Sequence, residues 1–142
     1  MNKFIIKVFK DKNRNQVIDL WRKCNLIKPW NDPNQDIDRK LKVNDNLFLI
    51  VELNNTLIGS VMAGYDGHRG SVYYLSVDPK YQNKGIGKML MREIEKKLTD
   101  IGCPKINLFI RKSNIEVKKF YQSINYENQD ILTYGKRLIS DE

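Results

Sequence analysis

Residues 73–91 read YYLSVDPKYQNKGIGKMLM, and the rest of the chain is organised around them. The strand signal begins one residue earlier: 72–77 is apolar, β-branched and aromatic, the composition of a buried strand. Asp78-Pro79 stops it, because proline cannot donate to a ladder and restricts the residue before it. Apolar residues then recur at Ile86, Met89, Leu90, Ile94 and Leu98, one face of an amphipathic helix. Strand, glycine-bearing turn and helix in this order leave unpaired N–H groups at a positive helix end. Such an end binds anions, and Gly85 and Gly87 let a phosphate approach the backbone.

Two common phosphate motifs fail here. No segment reads G-x-x-x-x-G-K-[ST], and a G-x-G-x-x-G fingerprint meets Leu90 where its third glycine belongs. Gln82, Gly85 and Gly87 instead resemble the Q/R-x-x-G-x-G/A loop of the GNAT acetyltransferases. A second block, Asn114, Val117, Phe120 and Tyr121, is similar to that family's N-x-x-A-x-x-F-Y segment. Val117 stands where alanine is usual, and Asn125 where glycine is usual after that helix. The blocks PWNDP (29–33), YDGHRG (65–70) and GCPKI (102–106) resemble the bacterial YpeA-type subgroup more closely still.

The resemblance implies one α/β domain over 1–142, a mostly antiparallel central sheet with a splayed parallel strand pair and helices on both faces. It implies acetyl-coenzyme A as co-substrate and direct transfer of acetyl to a primary amine in a ternary complex. Main-chain groups of Leu75, Ser76 and Val77 would hold the acetyl carbonyl and pantetheine. Those of Asn83, Lys84, Gly85, Ile86, Gly87 and Lys88 would hold the pyrophosphate. Asn114 would contact the pantetheine arm, and Tyr121 would protonate the departing thiolate. By spacing alone, Tyr121 reads as a core tyrosine, and Asn114 could be a plain helix N-cap. A non-catalytic acyl-coenzyme A binding module is the competing reading, and a homodimer stays open.

No general base stands out. Asp32, Glu52, Asp66 and His68 are the candidates, and His68 could titrate near neutral pH or simply occupy a turn. Trp30 and Tyr65 could line an acceptor pocket or pack in the core. Carboxylates and aromatics in the two turn-rich loops, Trp30 and Asp32 in one and Tyr65, Asp66 and His68 in the other, would suit a cationic amine.

At 142 residues the chain can bury a single core. The longest strongly apolar run, 47–51, is far short of the roughly 20 residues of a membrane span, and the N-terminus lacks a signal-peptide pattern. Cys24 and Cys103 are far apart and outside any metal-ligand cluster, which suits reduced thiols in a cytoplasmic protein. The net charge of +8 is spread along the chain, with no recognition helix, so nucleic acid is not the expected partner. Lys80, Lys84 and Lys88 do surround the proposed phosphate loop.

Outward from the central stretch, residues 4–9 alternate as a first strand. Asp11 can cap a helix carrying Val17, Ile18, Leu20, Trp21 and Cys24 on one face. Residues 36–43 predict a short helix with Ile37, Leu41 and the Lys40 stem inward. Residues 47–53 and 56–65 predict a hairpin about Asn54-Asn55. Beyond the Gly102 helix stop, 106–111 alternates as a strand parallel to 72–77, 114–124 is the last helix, and 126–138 has room for two short strands.

Overall fold

Asn54 and Asn55 both adopt positive φ (50° and 64°), the geometry of a tight hairpin turn, and set the sheet's register. They join strand β2 (Phe48–Leu53) to β3 (Thr56–Tyr65) in a computed structural model that describes residues 3–142. β1 (Phe4–Val8) pairs antiparallel with β2, and β4 (Gly70–Val77) antiparallel with β3. β5 (Ile106–Asn107) lies parallel to β4, giving the order β1-β2-β3-β4-β5. A parallel neighbour needs a crossover, and helix α3 (Ile86–Asp100) provides it.

The two sheet faces bury separate cores. On one, α1 (Arg14–Lys23) and α2 (Pro33–Val43) cover Phe48, Ile50 and Met62 with Val17, Leu20, Trp21 and Ile37. On the other, α3 and α4 (Ile115–Ser123) cover Leu49, Val51, Val61 and Val72 with Ile86, Leu90, Met91, Ile94, Leu98 and Tyr121. The mixed sheet with helices on both faces is as the sequence implied.

Four local expectations are corrected. Asp11 opens a 3-10 turn (Asp11–Asn13), and α1 starts after it at Arg14. The reason is Asn13, whose side-chain oxygen accepts the Lys10 N–H at 3.0 Å and closes that turn. Leu41 is 36% exposed while Ile37 is fully buried, because α2 presents the Ile37–Lys40 side of its surface to the sheet. The fifth strand stops at Asn107 instead of running to Arg111, since only Gly70 and Ser71 of β4 face it. The tail forms no strand over 126–138. With β5 ended at Asn107 it has no ladder to extend, and Ile131, Leu132, Tyr134 and Leu138 stay exposed. Side chains fasten the tail instead: Lys105 to Gln129 at 2.7 Å, Arg137 to Asn31 at 2.9 Å and Arg39 to Asp141 at 2.8 Å.

Candidate active site

β4 carries an irregularity that opens its edge. Ser60 pairs with Ser76 and Met62 with Tyr73, so Val61 faces two residues, Tyr74 and Leu75. That is a β-bulge, and Tyr74 holds φ +55°, a conformation costly for a side chain of its size. Three contacts stabilise it. The Tyr74 ring stacks on Trp21 at 3.8 Å, and its hydroxyl donates to Asp36 at 2.6 Å. Beneath them the Trp21 indole N–H donates to Ser60 (3.0 Å), whose hydroxyl donates to the Tyr74 carbonyl (3.1 Å) beside Ser76 (2.8 Å). Ser60 is fully buried and nothing in its sequence context announced this task. Past Ser71 and Asn107 the pairing of β4 with β5 ends, so Leu75, Ser76 and Val77 have no ladder partner on that side among the described residues.

The turn after β4 is built from its own backbone. Asp78 is buried, accepts the Lys80 N–H at 3.0 Å and meets Lys23 at 3.4 Å. The Gln82 side chain donates to the Val77 carbonyl at 3.0 Å, tying the loop to the strand end. Asn83 (φ 64°) and Gly85 (φ 82°) then turn the chain into α3. Gly85 caps α3 without a side-chain hydrogen bond, and the first turn holds no acidic residue. By contrast, Asp32 and Asn114 cap α2 and α4 with their side chains. The first N–H groups of α3, at Ile86, Gly87 and Lys88, therefore have no hydrogen-bond partner among the described residues. A Cβ at Gly87 would stand 3.2 Å from the Phe120 ring, so α4 packs closely on this turn where residue 87 lacks a side chain. These features fit a diphosphate.

Tyr121 is 7% exposed and packs edge-on between Phe120 and Tyr126. Tyr126 donates to Glu95 at 2.7 Å and Tyr74 to Asp36, but the Tyr121 hydroxyl has no hydrogen-bond partner among the described residues. Burial pushes its pKa up to about 12 from 10.0. Because the folded value is the higher one, this contribution to stability is complete below pH 10 and is lost as pH rises toward 12. Thermal melts between pH 10 and 12 should therefore show a smaller loss for Tyr121→Phe than for the unmodified chain. Equal slopes would mean that Tyr121 does not titrate as its burial requires.

The acceptor-side candidates do not all converge. Trp30 is 41% exposed, with the Arg111 guanidinium 5.9 Å from its ring centroid. Asp32 accepts from the N–H groups of Asn34 (2.9 Å) and Gln35 (3.4 Å), so its carboxylate caps α2. Asp66 accepts from the N–H groups of His68 and Arg69, both at 2.8 Å, and these bonds hold its carboxyl below the usual range. Tyr65 donates to the Gly67 carbonyl at 3.2 Å and His68 is exposed. Glu52 lies on β2, one strand removed from β4, and pairs with Lys7. A cavity of about 430 Å³ does take in Tyr65 and Asp66, together with Arg69, Ser71, Tyr73 and Phe109. Trp30, Asp32 and His68 do not line it.

Comparison with known proteins agrees with this geometry. The family model described as Acetyltransferase (GNAT) family matches residues 14–126. A Yersinia pestis protein named acetyltransferase is 49% identical over 137 residues, spanning 96% of this chain and 97% of that one. The fold is similar to that of the PaiA N-acetyltransferase of Thermoplasma acidophilum in complex with coenzyme A (TM-score 0.77, 19% identity, 91% and 92% of the two chains). It is also similar to the aminoglycoside N-acetyltransferase AAC(6')-Iy in complex with coenzyme A (TM-score 0.79, 16% identity, 98% and 97%).

Proposed function

The chain belongs to the acetyltransferase (GNAT) family, and from that premise we propose that it transfers acetyl from acetyl-coenzyme A to a primary amine by direct attack, with both substrates bound. The observation that carries this reading is the uncapped N-terminus of α3, set directly after a bulged strand whose parallel pairing stops at Ser71. N–H groups along residues 83–88 hold the pyrophosphate, helped by exposed Lys84 and Lys88. Asn114, at the head of α4, borders the pantetheine arm while capping its own helix.

When bound, the co-substrate supplies a thioester activated toward amines. Main-chain groups freed by the bulge at Tyr74–Leu75 orient its carbonyl and meet the charge that develops on oxygen. Nitrogen bonds to the carbonyl carbon, the carbon–sulfur bond breaks, and the sulfur takes the Tyr121 proton. The uncommitted hydroxyl of Tyr121 favours transfer over mere binding, since a donor with no partner is free to serve sulfur.

Of the acceptor-side candidates, Tyr65 and Asp66 line the cavity beside β4 and are kept, and the amine loses its proton through water, which returns one to Tyr121. We assign the chain to the YpeA-type subgroup on its PWNDP, YDGHRG and GCPKI blocks, and to the cytoplasm on its two free cysteines. Among the described residues no helix is long and apolar enough to cross a membrane.

The test is thiol release from labelled acetyl-coenzyme A with a mixed panel of peptides and amine metabolites. Release should require an amine, with one label transferred per thiol freed. Tight coenzyme A binding with no amine-dependent release from any panel member would instead identify a binding module.

A further inference from the structure

The 430 Å³ cavity lies between the N-terminal half of β4, Asn107 and Phe109 at and beyond the end of β5, and the end of α2, on the sheet face covered by α1 and α2. Its charged lining sorts into two kinds. Lys40 pairs with Asp45 at 2.7 Å and also donates to the Ala63 carbonyl, so both of these charges are satisfied. Arg69 is different. Its guanidinium donates once, to the neighbouring His68 carbonyl at 2.9 Å, and forms no ion pair among the described residues. Most of that planar fork is free to meet an anion. Tyr73 (48% exposed) and Phe109 (58% exposed) form the end of the cavity nearest the bulge, their rings 6.4 Å apart. Ser71 and Asn107 add polar side chains between these aromatics and Arg69.

We propose that this cavity is the acceptor's subsite and selects an elongated primary amine bearing an anionic group, which Arg69 holds. The inference rests on the acetyl-transfer reading above and specifies its acceptor. A guanidinium takes carboxylate or phosphate through paired N–H bonds, whereas an ammonium-rich acceptor would meet Arg69 as a like charge. Distance sets the length. Leu75 lies six residues beyond Arg69, roughly 20 Å of extended strand, and the arginine side chain covers only part of that span. One α-amino acid is too short. A peptide of about two to four residues, at ~3.3–3.6 Å per residue, bridges the remainder with its body lying across the paired Tyr73 and Phe109 rings. Asp66, beside Arg69 in the same lining, opposes a second anion and so favours a single one.

The experiment uses the full chain, acetyl-coenzyme A and peptides of one to five residues with free N-termini, each made as the C-terminal carboxylate and as the amide. Spermidine and an amino-sugar phosphate are included, and hydroxylamine serves as a small acceptor that needs no anchor. The carboxylate peptides of intermediate length should exceed their amides by about 10–100-fold in kcat/KM, the worth of a charge-assisted contact. Arg69→Gln should erase that preference while coenzyme A affinity and melting temperature hold, and Arg69→Lys should restore part of it. Acetylation of the amino-sugar phosphate above the carboxylates would identify phosphate as the anion. Equal use of amides and carboxylates, a preference for spermidine, or an Arg69→Gln enzyme that keeps its preference overturns the inference. Turnover with hydroxylamine but with no anionic amine overturns it while leaving acetyl transfer standing. Failure with hydroxylamine together with absent coenzyme A binding removes both.

Discussion

Replacing Gly87 with glutamate should abolish measurable coenzyme A binding while the fold survives. The new carboxylate would enter the space in front of the unpaired N–H groups of Ile86, Gly87 and Lys88 and occupy it with the wrong anion. An acidic side chain in a first helical turn is itself stabilising, so binding and stability should move in opposite directions. Losing two charge-assisted contacts corresponds to a fall in affinity of roughly 10²–10⁴-fold. Sterics need a control, because any Cβ at residue 87 would stand 3.2 Å and 3.3 Å from two Phe120 ring atoms. Gly87→Ala makes that contact without the charge, and a ring that shifts by a few tenths of an ångström should leave most of the affinity. Calorimetry with coenzyme A on both variants, beside circular dichroism, separates the two effects. A folded Gly87→Glu protein that binds coenzyme A normally would remove the pyrophosphate from this turn.

Tyr121→Phe should cost turnover and almost no stability. A buried tyrosine that donated a hydrogen bond would lose it on becoming phenylalanine, but the Tyr121 hydroxyl has no partner to lose among the described residues. General-acid assistance is typically worth ~10²–10⁴-fold. The lower end applies here, because a hydroxyl pushed up to about 12 is a reluctant donor to a thiolate whose ordinary pKa is near 8.5. Burial narrows that gap by raising the thiol as well, since desolvation disfavours both anions. Acetyl-coenzyme A affinity should hardly change. Full turnover by the variant, under conditions where chemistry limits the rate, would leave Tyr121 as packing alone.

Periodicity and turn chemistry alone determined most of the scaffold. The Asn54-Asn55 hairpin, the strand ended by Asp78-Pro79 and the helix stripe Ile86, Leu90, Ile94 and Leu98 all depend on contacts close in sequence or on one repeating face. Those interactions are local, so their signatures are local too. Gln82, Gly85 and Gly87 announced the turn for the same reason: a positive φ at residue 85 and a close approach at residue 87 each demand a residue type. The tertiary structure decided everything that depends on residues far apart in the chain. Ser60 supports the Tyr74 bulge from the neighbouring strand, and Trp21 of α1 reaches both residues from across the chain. Asp32 became a cap and Asp66 a turn acceptor because backbone N–H groups came within reach. Arg69 gained its meaning from Tyr73 on the next strand and from Phe109 just beyond β5. The short β5 and the strandless tail were beyond local reading as well. Alternation can mark a segment able to form a strand, but a strand forms only where a neighbouring edge offers partners, and the edge of β4 offers just Gly70 and Ser71.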